Sequence, residues 1–218
     1  MGSTIDNSYI GEQWKDFDID TIISEINSTE YGASGFSESL RETLNYIKKD
    51  ASITDVRWAS YLLGTAFAES NYSLQRWEAD YVCGLRGKAY SSNGPCSSAL
   101  SYFRSEKGGK KNYYDLGVAK NGLPYFGRGL IQLTGKDNYK KFGDIIGEDL
   151  FNNPDLALDN KVSYKVAVAY MNKRGVFNHV SNGDLRTARK RVNGGAKGLD
   201  EVNGAYQKWL DLLNTRNS

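Results

Sequence analysis

The chain has 218 residues, enough for one domain with a proper core or a domain plus a short N-terminal subdomain. Hydrophobic residues at 39% and charged residues at 25% place it among soluble globular proteins, and a net charge of +2 is too small to argue for nucleic acid. A single histidine, His179, argues against a zinc site built on several His ligands and leaves a Cys–His peptidase poorly supported, while no run approaches transmembrane length.

Residues 1 to about 16 read as an irregular lead-in. The opening MGSTIDNSYIGEQ has neither a charged n-region nor an apolar h-region, so no secretory signal is read there. Met1-Gly2-Ser3 resembles an appended leader and leaves open that the chain is one piece of a larger protein. A first helix is expected over about 18–28, with Ile19, Ile22, Ile23 and Ile26 on one face and Asp18 or Asp20 as cap. Residues 1–36 are taken together as lead-in and first helix, and 37–218 as the main domain. Ser39 with Glu42 reads as a capping box for a helix that turns Leu40, Leu44 and Ile47 inward.

The central stretch is Thr54 to Glu78. Thr54 is the expected cap, with Asp55 in the first turn. Val56, Ala59, Leu62, Leu63, Ala66 and Phe67 recur at helical spacing, and Glu69 falls on or beside that apolar stripe. Burial and the negative end of the helix both disfavour the anion of a carboxyl so placed, which suits a general acid. Ser70, Asn71 and Ser73 are expected to end the helix, and Glu78 then sits in a wetter setting and stays ionised. Two carboxyls whose surroundings push them apart are what glycosidic cleavage needs. A Glu near a helix end is more often solvated or a cap partner, so these two residues alone do not define a site.

Gly, Ser, Asn, Lys and Tyr dominate residues 79–124, and helical periodicity weakens. A long irregular stretch inside a domain is often functional, and a surface insertion is the plainer alternative. Cys83 and Cys96 enclose twelve residues of it. A disulfide there would contribute about 3 kcal/mol in the chain-entropy picture and fits a periplasmic or extracellular working place. Two free thiols in a cytosolic protein are the alternative, and the bridge is preferred. The 15 Tyr and 4 Trp hint at stacking on sugar rings, although Tyr packing at half-buried positions is the preferred account.

In Tyr125 to Gly135, YFGRGLIQLTG, alternation suggests a short strand with Gln132 and Thr134 on one face. Those two could hold a sugar hydroxyl, an N-acetyl group or a water; a wet edge hairpin is the alternative. A helix beginning at Asp137 follows, then Pro154, then a helix over about 159–174 stopped by Gly175. Arg186, Arg189, Lys190 and Arg191 make a basic run, read as a solvated helix face rather than a phosphate site. Asn193-Gly194-Gly195 is a tight loop, and a last helix over about 200–213 buries Val202, Tyr206, Trp209, Leu210 and Leu213.

Taken together, several of these pieces resemble glycoside hydrolase family 19, which includes plant-type chitinases and phage endolysins. YFGRGLIQLTGKDNYKKFG, 125–143, resembles the family signature. Ala68-Glu69-Ser70 resembles the segment carrying the general acid, with Ala68 where His is usual. Val192-Asn193-Gly194-Gly195 and the following Gly198-Leu199-Asp200 resemble the family's Asn-Gly-Gly segment and closing helix, so the likeness spans roughly 40–213. The second acid nine residues beyond the first, as Glu78 stands here, resembles phage endolysins and bacterial effector lysozymes rather than chitinases.

The resemblance implies a lysozyme-like fold, mainly α (α+β), helical with a small antiparallel sheet beside a cleft. It implies a hydrolase cleaving the β-1,4 bond between N-acetylmuramic acid and N-acetylglucosamine, without cofactor or metal. Glu69 is then the acid; Glu78 activates water or steadies the oxocarbenium-like charge. Gln132 and Thr134 position water or substrate, and Asn193, Tyr125 and Arg128 bind sugar. An inverting route expects the carboxyls about 6.5–9.5 Å apart, a retaining one near 5 Å. Glu106 or Asp115 stands as an alternative second acid. The expected partner is the peptidoglycan glycan strand, met by a monomer that inserts into no membrane and binds no nucleic acid. Action in the bacterial periplasm and cell wall requires delivery by phage lysis or a secretion system, in the latter case with an immunity protein as a further partner. A chitinase with the same acid and a non-catalytic glycan-binding module are the rival readings.

Overall fold

The computed structural model describes residues 9–33, 35–74, 117, 119, 120 and 125–214. The chain divides into two compact units, Met1–Tyr72 with Met171–Ser218, and Ser73–Tyr170.

In the first unit, α1 (Ile19–Asn27) starts at Asp18, whose carboxylate accepts from Thr21 N at 2.8 Å, as the sequence suggested. Helix α2 (Ser37–Lys49) begins two residues before Ser39, so the expected capping box does not form. Ser39 is inside the helix, and its hydroxyl donates instead to the Tyr72 carbonyl at 2.6 Å. Leu40, Leu44 and Ile47 are buried as their spacing requires.

Helix α3 (Val56–Ser70) is the centre of this unit. Its cap is Asp55 rather than Thr54; the Asp55 carboxylate accepts from Arg57 N at 2.9 Å and pairs with the Arg57 guanidinium at 2.6 Å. The helix is buried nearly all round, not along one stripe: Ser60, Tyr61, Gly64 and Thr65 are buried beside Val56, Ala59, Leu62, Leu63 and Ala66. A helix surrounded on every side is a core element, and polarity no longer marks its outer face.

Three more helices complete the unit: α6 (Val176–Ser181), α7 (Leu185–Asn193) and α8 (Leu199–Asn214). Asp184 caps α7, and hydrogen bonds from Thr187 hold its carboxyl below the usual carboxylate range. Helix α8 lies directly on α3. A Cβ on Gly64 would stand 2.8 Å from Tyr206 N and 3.1 Å from Val202 O, so only hydrogen fits between the two backbones. Gly to Ala inside a helix ordinarily gains about 1 kcal/mol. Here the sign reverses: Gly64→Ala is expected to cost about 2–3 kcal/mol by forcing the helices apart, read as a lowered urea midpoint.

The second unit contains α4 (Lys136–Ile146), a 3-10 turn at Pro154–Leu158 and the part of α5 (Asn160–Lys173) up to Tyr170. Antiparallel pairing among the described residues is limited to two isolated bridges, Ile10 with Asp55 and Arg128 with Leu133. The strand expected over Leu130–Thr134 is instead a tight turn over 129–132 closed by the second bridge. Gly129 at φ +74° and Gln132 at φ +52° take left-handed backbone, which breaks the extended path that alternation suggested. The mainly helical expectation holds among the described residues, and no helix there is long and apolar enough to cross a membrane.

Candidate active site

Glu69 occupies the last turn of α3. Its side chain is 20% accessible, enough for one edge to meet solvent while the rest is covered. The neighbour on its carboxylate is not an apolar wall but a guanidinium: Arg189 Nη1 donates to Glu69 Oε1 at 2.5 Å. Arg189 is itself buried, with 6% of its side chain accessible, so this pair is largely shielded from water.

The backbone just beyond Glu69 is sharply bent. Asn71 at φ +51° and Tyr72 at φ +58° are both left-handed, a conformation that costs a non-glycine residue about 1–2 kcal/mol. Tyr72 is held there from several sides. Its hydroxyl donates to the Tyr31 carbonyl at 3.0 Å and accepts from Trp209 Nε1 at 2.9 Å. Its carbonyl receives the Ser39 hydroxyl. Contacts from α2, α8 and the 31–33 loop therefore fix where α3 ends, and with it the position of Glu69.

Arg189 links Glu69 to the Asn-Gly-Gly loop. Its Nε donates to the Lys197 carbonyl at 2.9 Å, and Asn193 Nδ2 donates to the same carbonyl at 3.4 Å. Asn193 is exposed at the end of α7, with Gly194 at φ +72° as the left-handed cap. Arg186, Lys190 and Arg191 are exposed, as expected of a solvated face, but Arg189 is not. The helical phase could have revealed this: Leu185, Ala188, Arg189 and Val192 fall at i, i+3, i+4 and i+7, the inner stripe of α7.

In the second unit, Gln132 and Thr134 lie over Gly127. A Cβ there would meet Gln132 Oε1 at 2.8 Å and Thr134 Oγ1 at 3.2 Å. The two side chains share one side of the loop although the strand is absent. Thr134 Oγ1 donates to the Gln132 carbonyl at 2.7 Å, and Gln132 Nε2 to the Gly129 carbonyl at 2.9 Å. Both residues are half-buried.

Tyr125 and Arg128 lie deeper. The Tyr125 hydroxyl donates to the Phe151 carbonyl at 2.6 Å, and the ring is buried against Tyr139 and Phe151. Arg128 is 0% accessible at its side chain, pairs with Asp155 at 2.7 Å and lies 4.0 Å from the Phe126 ring centroid. It also donates to the Tyr139 hydroxyl at 3.1 Å. Burial pushes Tyr139 up to about 12, so that hydroxyl stays protonated and donates to the Phe126 carbonyl at 2.8 Å. Tyr125 and Arg128 are thus buried, with the Tyr125 hydroxyl and the Arg128 Nε and Nη1 groups engaged inside the unit beneath the loop that carries Gln132 and Thr134.

Glu78, Cys83 and Cys96, together with the alternative acids Glu106 and Asp115, lie outside the described residues.

Residues 81–182 match the family model of glycoside hydrolase family 19, described as "Chitinase class I". The fold is shared with chitinase C from Streptomyces griseus HUT6037, with a TM-score of 0.51 at 18% identity over 97% of this chain and 95% of that one. An acidic 27 kDa endochitinase of Solanum lycopersicum is 39% identical over 83 residues, 38% of this chain and 29% of its own length. A glycosyl hydrolase family 19 domain-containing protein of Haemophilus influenzae is 38% identical over 81 residues, 37% of this chain and 38% of its own length. The matched part thus spans between 29% and 38% of the length of these two curated relatives. The chain is related to glycoside hydrolase family 19.

Proposed function

We propose that this protein is a family 19 glycoside hydrolase that cleaves the β-1,4 bond between N-acetylmuramic acid and N-acetylglucosamine in peptidoglycan. The observation that carries the reading is Glu69: a carboxyl at the end of a core helix, partly open to solvent and held by the buried Arg189. Such a group is oriented once and need not be reorganised at the moment of proton transfer. Glu69 protonates the leaving oxygen, and Glu78 activates water or steadies the oxocarbenium-like charge. Gln132 and Thr134 hold that water or the sugar, and Asn193 binds a sugar group. The spacing of nine residues between the two acids supports peptidoglycan over chitin. The work is then done by a monomer in the bacterial periplasm and cell wall, after delivery by phage lysis or a secretion system, with an immunity protein in the producing cell in the latter case.

Chitin is the second reading, favoured by the likeness to the tomato endochitinase. Zymography on purified peptidoglycan and on chitin oligomers, with mass analysis of the products, separates the two. Muropeptides with new reducing ends support the muramidase. Turnover of chitin oligomers alone supports the chitinase, and binding without new reducing ends supports a glycan-binding module.

The Gly127 contact gives a sharper check on the second-unit residues. In Gly127→Ala the added methyl displaces the Gln132 amide, a flexible group, so the fold survives within about 1 kcal/mol. Hydrolysis is expected to fall roughly tenfold to a hundredfold, because misplacing a positioning group by an ångström has that effect. Steady-state kinetics beside a thermal melt reads both quantities; unchanged kinetics would remove Gln132 and Thr134 from the site.

A further inference from the structure

Helix α3 buries several hydroxyls, and they behave differently. Ser60 Oγ donates to the Val56 carbonyl at 2.7 Å and Ser70 Oγ to the Ala66 carbonyl at 2.9 Å, each turning back four residues along its own helix. Thr65 does not. Its Oγ1 is fully buried, at 0% accessibility, and has no hydrogen-bond partner among the described residues. A buried hydroxyl left unpaired is costly, and native proteins rarely keep one.

Thr65 stands one helical turn before Glu69. Residues at i and i+4 are neighbours on a helix surface, with Cβ atoms about 5–6 Å apart. Side chains on a helix lean toward its N-terminus, which brings the later residue back over the earlier one. Arg189 meets Oε1 of Glu69, and no described residue hydrogen-bonds Oε2.

We infer that Thr65 is a positioning residue for Glu69, its buried hydroxyl holding, through one internal water, the carboxyl oxygen that Arg189 does not. The inference rests on the proposed role of Glu69 as proton donor. With Arg189 on one oxygen and Thr65 on the other, the plane of the carboxyl is fixed and only its solvent edge faces the glycan. One internal water is a reasonable link, since such waters characteristically bridge buried polar groups that lack other partners.

The test has a structural arm and a kinetic arm, both on the full chain. A crystal structure that resolves waters should place Thr65 Oγ1 within about 3.2 Å of a water that also touches a Glu69 oxygen. A Thr65 hydroxyl bonded only to the Tyr61 carbonyl overturns the inference. In kinetics, Thr65→Val keeps the shape and loses the hydroxyl; kcat should fall about tenfold with KM unchanged, and Thr65→Ser should restore most of it. Equal kcat in Thr65→Val, or a fall that Thr65→Ser does not reverse, overturns it. Should the wild-type chain hydrolyse neither polymer, the functional proposal fails while the crystal structure still decides this one. A thermal melt then bears on it independently: Tm falls by a few degrees in Thr65→Val if the hydroxyl is bonded, and holds or rises if it is orphaned.

Discussion

Replacing Glu69 by Gln is expected to cut glycan hydrolysis by about 10²–10⁴-fold, the usual contribution of a positioned proton donor. Gln has nearly the same shape and offers a carbonyl oxygen where Arg189 Nη1 now meets Oε1. The network through Arg189, the Lys197 carbonyl and Asn193 therefore keeps its connections. What the amide lacks is an acidic proton and a negative charge. Exchanging a charged for a neutral acceptor at a largely shielded pair costs roughly 1–2 kcal/mol of stability. The folded fraction at assay temperature then hardly changes, so lost rate reads as lost chemistry. Reducing-end release measured beside a urea titration distinguishes the cases. A fully active Glu69→Gln protein would reject Glu69 as the acid. A protein that loses activity only as it unfolds would make Glu69 structural.

What the sequence foretold about Glu69 was its place, not its company. Helical spacing put it at the end of a core helix, and the turn residues Ser70 and Asn71 marked the end correctly. Its partner came from residue 189, across 120 positions, and nothing local links the two. Arg189 was hidden in a run of like charges, where composition suggests solvent; only the phase of α7 separates it from Arg186, Lys190 and Arg191. The cap of α3 fell on Asp55 instead of Thr54 because both residues are competent caps, and Arg57 pairs with the carboxylate. The capping box at Ser39 failed for a tertiary reason, since the Tyr72 carbonyl takes that hydroxyl. The strand at 130–134 failed for a local one. Alternating polarity looks the same in a strand and in a turn pinned at both ends, and the left-handed backbone of Gln132 has no signature in the residue itself.

The stability of the loop carrying Gln132 and Thr134 depends most on Arg128, and Arg128→Ala is expected to cost about 3–5 kcal/mol, the range for breaking a buried ion pair from one side. The guanidinium has no solvent access and makes three kinds of contact at once. It pairs with Asp155 at 2.7 Å, donates to the Phe126 carbonyl and the Tyr139 hydroxyl at 3.1 Å each, and stacks near the Phe126 ring. Alanine leaves Asp155, itself only 25% accessible, without this cation, and leaves a void between two aromatic rings. The Phe126 carbonyl keeps one donor, the Tyr139 hydroxyl, so the collapse is not complete. Lysine should recover only part of the loss: it restores charge, but not the planar fork that spans Asp155, a carbonyl and a phenol. Arg128→Met with Asp155→Asn should be less destabilised than Arg128→Met alone, because the second change removes the stranded charge. Urea denaturation of wild type, Arg128→Met, Asp155→Asn and the double variant gives the coupling directly. An Arg128→Ala protein within about 1 kcal/mol of wild type would mean that the bridge from Arg128 to Leu133, and not the side chain, holds the loop.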